Sequence, residues 1–383
     1  MPLKVLHIIT RLELGGAQKN VLAMLANLPQ DKYEIHLIAS PGPLEDEARA
    51  IPGLRLKLLP FLRRRPNPVL DMLAFFYMVS YIRINKIDIV HTHSSKAGIL
   101  GRFAARAAGV KVVFHTIHGW GFHDYLRSFF NDLYIILERL SAKITLKLIA
   151  VTESDIQKGL DNGIGIEKQY CLIRYGIDRD SFKSIGPWEA LNLKNFLGLK
   201  EEKVVGMVAC LKPQKNPLDF VRCARLIANV DPRVKFLLAG DGILRPQVER
   251  EIKRNDLSED FFLLGWRRDI KAVISIIDVL VLTSLWEGSP LVFLEAMCLS
   301  KPIVAYDICG ASELVKDNVN GFLVLPKDTE GLALKVNLLL ENREVCDRMK
   351  KFASIVISRE DLSLKFMIES LDKLYSSSVT NAG

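Results

Sequence analysis

The stretch Val279-Leu280-Val281-Leu282-Thr283-Ser284-Leu285-Trp286-Glu287-Gly288-Ser289-Pro290-Leu291-Val292-Phe293-Leu294-Glu295-Ala296-Met297 passes from a short aliphatic run through a polar loop into an apolar run of helical length. A continuous run without polar alternation is the mark of a strand buried on both faces, as in a parallel sheet covered by helices. Such sheets bind ligands in the loops that follow their strands. Ser289 is expected as the N-cap of the next helix and Pro290 as its first residue, leaving the N–H groups of Leu291 and Val292 to face an anion such as a diphosphate. Glu287 stands ahead of that helix and Glu295 about 7.5 Å along it, at 1.5 Å per residue. Two carboxylates so spaced can grip hydroxyls on either side of a bound diphosphate.

Outward from this block the same alternation recurs. Short apolar runs at 203–209, 235–239, 261–264 and 302–305 are separated by amphipathic stretches, and an earlier set does the same at 4–9, 34–39, 87–91 and 111–116. Two α/β doubly wound units are expected, an N-terminal one over 1–185 and a C-terminal one over 186–359. Residues 179–200, with Gly186-Pro187 and little strand character, read as the linker. The tail 360–383 carries Leu362, Leu364, Phe366, Met367, Leu371 and Leu374 at the spacing of a one-faced helix.

At 383 residues and 49% hydrophobic, the chain can bury two cores and is unlike a disordered one. The longest apolar stretches, 69–82 and 129–151, are broken by charges such as Asp71, Glu138 and Lys147, short of the roughly 18 apolar residues of a membrane span. The N-terminus lacks the apolar length and small-residue cleavage site of a secretory leader, so the expected location is the cytoplasm or the inner face of a membrane. The six cysteines show no C-x-x-C spacing and predict neither disulfides nor a zinc site.

The net charge of +8 is uneven: residues 1–190 hold 25 Lys and Arg against 18 Asp and Glu, a net +7, and the remainder only +1. This favours an anionic partner for the first half, a membrane surface or a phosphorylated acceptor, and disfavours nucleic acid, for which no binding module is visible. Arg63-Arg64-Arg65 ahead of the apolar stretch from Val69 is either a lipid-facing patch or an ordinary loop before a half-buried helix. His91, His93, His115, His118 and His123 cluster after two strands, but no Asp or Glu joins them at ligand spacing, so no metal is expected. Asp178-Arg179-Asp180 is read as structural.

The Glu287 to Glu295 block resembles the E-x7-E segment of family 4 glycosyltransferases, retaining enzymes of the GT-B fold that use nucleotide-sugar donors. Leu14-Gly15-Gly16-Ala17-Gln18 is similar to that family's glycine-rich first loop, Ala239-Gly240-Asp241-Gly242 to its second-domain turn, Leu264-Gly265-Trp266 to its base-side loop and Gly176-Ile177-Asp178 to its interdomain junction. Cys210-Leu211-Lys212-Pro213-Gln214-Lys215-Asn216 aligns with G-R-L-x-x-x-K-G, where Ala209 replaces the glycine and Cys210 the arginine; Lys215 matches the lysine, and Lys212 is a neighbouring cation that could substitute for the missing one.

The resemblance implies two Rossmann-like domains facing a central cleft, with the C-terminal helix returning to the first. It implies transfer of a sugar from a UDP- or GDP-sugar to a carbohydrate or polyprenyl-diphosphate-linked acceptor, with retention and without a cofactor, in surface polysaccharide or glycolipid synthesis. Glu287, His118 and Lys215 are the implied catalytic groups. Gly15, Gly16, Lys212, Gly240, Trp266, Arg267, Ser289, Leu291, Val292 and Glu295 join Lys215 at the donor, and His93, His123 and Asp124 lie on the acceptor side. A nucleotide-sugar epimerase of the same fold, or a silent partner subunit that has lost its arginine at Cys210, are the alternatives.

Overall fold

The computed structural model describes residues 2–125, 127–183 and 186–380. They form two compact units, Met1–Gly176 with Leu364–Gly383, and Ile177–Ser363. The chain therefore divides within the Gly176-Ile177-Asp178 triplet and again after Ser363. Position 185, the boundary expected from sequence, lies outside the described residues.

In the first unit, β1 (Leu3–Arg11), β2 (Tyr33–Ser40), β3 (Arg55–Leu58), β4 (Ile89–His93), β5 (Val112–Ile117), β6 (Lys147–Ala150) and β7 (Tyr170–Leu172) make one sheet in the order β3-β2-β1-β4-β5-β6-β7. Every pairing is parallel. All six residues of β5 are buried, as its unbroken run Val-Val-Phe-His-Thr-Ile requires of a strand covered on both faces. The second unit holds β8 (Val204–Val208), β9 (Lys235–Ala239), β10 (Phe261–Gly265), β11 (Val279–Leu282), β12 (Ile303–Tyr306) and β13 (Gly321–Val324), ordered β10-β9-β8-β11-β12-β13 and again parallel. The order reverses direction between β1 and β4 in one sheet and between β8 and β11 in the other, so the loops after these four strands diverge and leave room for a ligand.

The segment expected to be a linker is folded. Helices Arg179–Lys183 and Pro187–Phe196 belong to the second unit, with Gly186 as N-cap and Pro187 at the first helical position. Gly-Pro here starts a helix, because proline's fixed φ suits the first turn and its missing N–H is not needed there. The Oδ1 of Asp178 accepts from the N–H of Ser181 at 3.1 Å, a local turn-forming role.

The last helix, Leu364–Thr380, packs on the first unit. Met367, Ile368, Leu371 and Tyr375 share a core with Val5, Ile9, Val21 and Leu25. Polar contacts fix its register: the Tyr33 hydroxyl donates to Asp372 at 2.6 Å and Lys32 pairs with Asp372 at 2.8 Å. Leu371→Ala is expected to destabilise the first unit by about 2–5 kcal/mol through lost burial and the cavity left. Urea unfolding of the variant checks this, and an unchanged midpoint would show that the helix is not part of that core.

Candidate active site

In the second unit the end of β11 is stitched to the loop that follows β8. Thr283 is buried and its hydroxyl donates toward the carbonyls of Lys215 and Asn216, at 3.0 and 2.9 Å. The N–H of Leu285 donates to Gln214 O and the side-chain amide of Gln214 donates to Trp286 O, both at 2.8 Å. These bonds bring Lys215 to Glu287, residues 72 apart in sequence, and the two side chains form an ion pair. Only 9% of the Glu287 side chain and 17% of Lys215 are exposed. With so little water to solvate them, each charge depends on the other, or on a ligand that replaces it.

The backbone of this loop is specialised. Asn216, aligned with a motif glycine, has φ 45°, a left-handed conformation that asparagine tolerates better than most side chains. Gly240 has φ +138°, and a Cβ there would stand 1.9 Å from the carbonyl oxygen of Ala209. Gly240 thus lets the loops after β8 and β9 touch, which holds Cys210, Lys212 and Lys215 in place. Lys212 is the N-cap residue of the short turn Pro213–Lys215.

The helix after Glu287 spans Leu291–Cys298, one residue later than expected. Pro290, not Ser289, is its N-cap, and no side chain caps it. The N–H of Phe293 bonds to Pro290 O at 3.0 Å, while those of Leu291 and Val292 head the helix without a side-chain acceptor. Glu295, in the same helix, is buried, and the buried hydroxyl of Ser284 has no hydrogen-bond partner among the described residues. Gly310, which sequence reasoning missed, packs its Cα against this loop: a Cβ there would meet Gly288 O at 2.0 Å. Its position just beyond β12 was the available signal. After β10, Trp266 is 43% exposed, and Arg267 is held by Asp269.

In the first unit Gly15 is the N-cap of helix Gly16–Asn27, and no side chain caps that helix. Beside it, at the switch point, lies a group of histidines. His7 on β1 pairs in register with His91 on β4, and His93 follows two residues on. Ring nitrogens connect in sequence: His7 Nδ1 to His93 Nε2 at 3.0 Å, His93 Nδ1 to His118 Nε2 at 3.0 Å, and His118 Nδ1 to the Tyr175 hydroxyl at 2.7 Å. His91 bonds Tyr375 at 2.5 Å and Thr116 at 2.7 Å. Sequence reasoning singled out His93 and His118 but not His7, Tyr175 or Tyr375. His123 exchanges backbone bonds with the Asn131 side chain, at 3.1 and 3.0 Å, and Asp124 is exposed.

Burial pushes His7 and His118 down to about 3, and His91, His93 and His115 well below the ordinary histidine range. Mutual repulsion adds to burial for His91 and His93, so these imidazoles are neutral at pH 7. His7, His91 and His93 form the triplet whose ligand atoms lie within 4.8 Å of one another, a set of three imidazoles without a carboxylate or thiolate. A cation there would have to displace the hydrogen bonds that His91 and His93 make through both of their nitrogens.

Residues 14–181 match the family model "Glycosyltransferase Family 4" and residues 191–355 match "Glycosyl transferases group 1". An Escherichia coli UDP-Gal:alpha-D-GlcNAc-diphosphoundecaprenol alpha-1,3-galactosyltransferase is 36% identical over 333 residues, 86% of this chain and 85% of that protein. A Campylobacter jejuni N,N'-diacetylbacillosaminyl-diphospho-undecaprenol alpha-1,3-N-acetylgalactosaminyltransferase is 26% identical over 87% of this chain and 89% of its own. Among solved structures, Anabaena HepE in complex with UDP and glucose superposes with a TM-score of 0.85 at 21% identity, covering 98% of this chain and all of that one. WaaG, a glycosyltransferase involved in lipopolysaccharide biosynthesis, does so at 0.77 and 14%, covering 94% and 97%.

All seven histidines lie between positions 7 and 123, in the first unit. An unfolded histidine takes up a proton below about pH 6.5. The folded His7 and His118 do so only near 3, so between these limits the unfolded chain binds more protons and stability falls as pH falls. Each such histidine contributes up to about 1.4 kcal/mol per pH unit. Pulse proteolysis in urea at pH 7.5 and 5.5, with cleavage sites mapped by mass spectrometry, should show the first unit opening at lower urea in acid. Equal midpoints would mean that these histidines are already charged.

Proposed function

The chain is a glycosyltransferase of family 4, and from that premise we propose that it moves a sugar from a UDP-sugar to a sugar carried on a polyprenyl diphosphate, keeping the anomeric configuration. The observation that carries this reading is the second unit's loop and helix, where Glu287 is held by Lys215 ahead of a helix end that no side chain caps. In the proposed reaction the bond from the anomeric carbon to the diphosphate breaks with its electron pair going to the diphosphate. The acceptor oxygen bonds to that carbon, and its proton passes to the departing phosphate oxygen. Negative charge grows on the leaving group, so Lys215, the N–H groups of Leu291 and Val292 and, in place of the arginine absent at Cys210, Lys212 supply the main stabilisation.

Glu287, freed from Lys215 as the cation turns to phosphate, accepts from sugar hydroxyls, and Glu295 accepts from the ribose. Ser289 lines the phosphates, Gly240 keeps the cation loop in place, and Trp266 with Arg267 borders the base. From the first unit, Gly15 and Gly16 offer backbone N–H groups to phosphate oxygens, and His118 contacts the transferred sugar. His93, His123 and Asp124 are assigned to the acceptor side. The uridine preference is supported by the UDP-bound neighbour and the UDP-Gal-using relative, and the lipid-linked acceptor by the two undecaprenol-specific relatives.

An acceptor on polyprenyl diphosphate lies at a membrane surface, while none of the described helices is long and apolar enough to cross one. Helix Pro68–Asn85 exposes Val69, Met72, Leu73 and Phe76 at helical spacing, and helix Ser128–Ala142 exposes Phe129, Leu133, Ile136 and Leu140. Both pack on helix Ser95–Ala108, so the two apolar faces flank one element of the first unit. Val69 is 70% and Phe129 73% exposed, too much apolar surface to leave in water without a partner. With Arg63, Arg64 and Arg65 leading into the first helix, this face is complementary to an anionic bilayer.

Two experiments test these assignments. Calorimetry with UDP, GDP and ADP should find UDP bound most tightly, with or without EDTA. Glu287→Ala should lower turnover about 100-fold or more with little change in UDP affinity, and Glu295→Ala should weaken UDP itself about tenfold. Full turnover in both variants would refute the site. Separately, the protein should sediment with phosphatidylglycerol vesicles and not with phosphatidylcholine ones. Replacing Arg63, Arg64 and Arg65 by serine should weaken this about 100-fold, at about 1 kcal/mol per cation. Sedimentation indifferent to lipid charge and to the arginines would remove the membrane assignment.

A further inference from the structure

The row His7, His93, His118 and Tyr175 joins β1, β4, the loop after β5 and the last residues of the first unit before the chain leaves it. Each neutral imidazole has one N–H, so the three rings cannot choose their tautomers independently. Two arrangements satisfy all three bonds. In the outward one every ring is protonated on Nδ1: His7 donates to His93, His93 to His118 and His118 to the Tyr175 hydroxyl. In the inward one Tyr175 donates to His118, every ring is protonated on Nε2, and the last proton sits on His7 Nε2.

That last atom decides between them. His7 Nε2 is buried and has no hydrogen-bond partner among the described residues. The inward arrangement would bury an N–H with nothing to receive it, whereas the outward one leaves only an unused lone pair, and orphaned N–H groups are the rarer of the two in folded proteins. Sheet pairing and burial hold the row in place: His7 and His91 are paired across β1 and β4, and the His91 ring lies 4.3 Å from that of His93. The groups facing the row are His91, His115, Tyr175 and Tyr375, with Arg102 behind His115.

We propose that His93 and His7 are positioning residues that act through His118, locking its ring as the Nδ1–H tautomer with Nε2 already occupied by the N–H of His93. This rests on the reading of His118 as a sugar contact, made here by the carbon edge of the ring because both of its nitrogens are engaged. The benefit is electrostatic. Positive charge grows on the anomeric carbon as the diphosphate leaves, and an imidazolium beside it would oppose that charge. For His118 to gain a proton at Nε2, His93 must withdraw its N–H, His7 must then change tautomer, and a proton must come to rest on the unpartnered His7 Nε2. The row therefore keeps His118 neutral where a lone histidine would titrate.

Nitrogen NMR of the wild-type protein labelled in histidine tests the tautomer without any variant. His118 should show a protonated Nδ1 and an unprotonated Nε2 at pH 7 and still at pH 5.5. An Nε2–H tautomer, or a ring that charges above pH 5.5, overturns the proposal. In turnover, read as UDP release from UDP-glucose, UDP-galactose and their N-acetyl forms, His93→Leu should lose about 10- to 100-fold in kcat, with donor KM little changed and a new loss of rate on acidification below about pH 6.5. His93→Asn, whose amide N–H stands in for the Nδ1 donor, should recover most of it. Loss in both variants with an unchanged pH profile would mean a packing role only and overturn the proposal. Full kcat in His118→Ala would instead remove the sugar contact, which the NMR result does not depend on.

Discussion

A parallel sheet covered on both faces can carry polar chemistry almost only where its strands end. Within the sheets the pleat faces apolar helices on both sides, as the wholly buried β5 and β11 show, and an unpaired charge there would find neither water nor partner. Beyond a carboxyl end the chain turns, backbone N–H groups become available, and glycine permits close approach. Glu287, Lys215, Gly240, Trp266, Gly15 and His118 all stand beyond a strand end for this reason. The histidines of β1 and β4 depart from the rule and are therefore neutral, hydrogen-bonded and tied to one another.

The strand runs, the two doubly wound units and the returning helix were legible because a covered parallel strand leaves an unbroken apolar run and a one-faced helix leaves a period. The loop between Leu282 and Leu291 was legible as a strand-to-helix connection because its polar residues interrupt two apolar runs. What escaped was set by distance in sequence or by a residue with two meanings. Gly186-Pro187 serves a linker and a helix start equally well, and only packing against the second unit decided it. His7 sits in Val-Leu-His-Ile-Ile, where a period-free strand hides its polar member, and its partner His93 is 86 residues away. Tyr375 lies 284 residues from the His91 it bonds. Lys215 and Glu287 were each singled out by motif, but their pairing has no sequence signature, since it is made by Thr283 and Gln214 holding two loops together.

On the proposed reading, that pair, with Lys212 beside it in sequence, makes the loss of an arginine at Cys210 tolerable. In the proposed reaction, the cation that balances Glu287 before the donor arrives is also one of those that the diphosphate requires. In that reading, turning it from carboxylate to phosphate would free Glu287 for the sugar hydroxyls in the same motion. Interactions strengthened only as charge develops raise the rate, while those already satisfied in the free protein do not.

On the proposed reading the two units would meet opposite electrostatic demands with opposite means. In the proposed reaction the leaving diphosphate gathers negative charge, and the Lys215 ammonium and helix N–H groups of the second unit are the groups assigned to meet it. The anomeric carbon gathers positive charge, and the groups that the proposal sets against it are His118 and the rings in its row, which burial keeps uncharged. Seven histidines in a domain of net positive charge would, if protonated, add repulsion at the very step that needs none. Hydrogen-bonding His91, His93, His115 and His118 to tyrosines, threonines and other histidines satisfies their polar atoms at neutral charge, without a field that would oppose the proposed reaction.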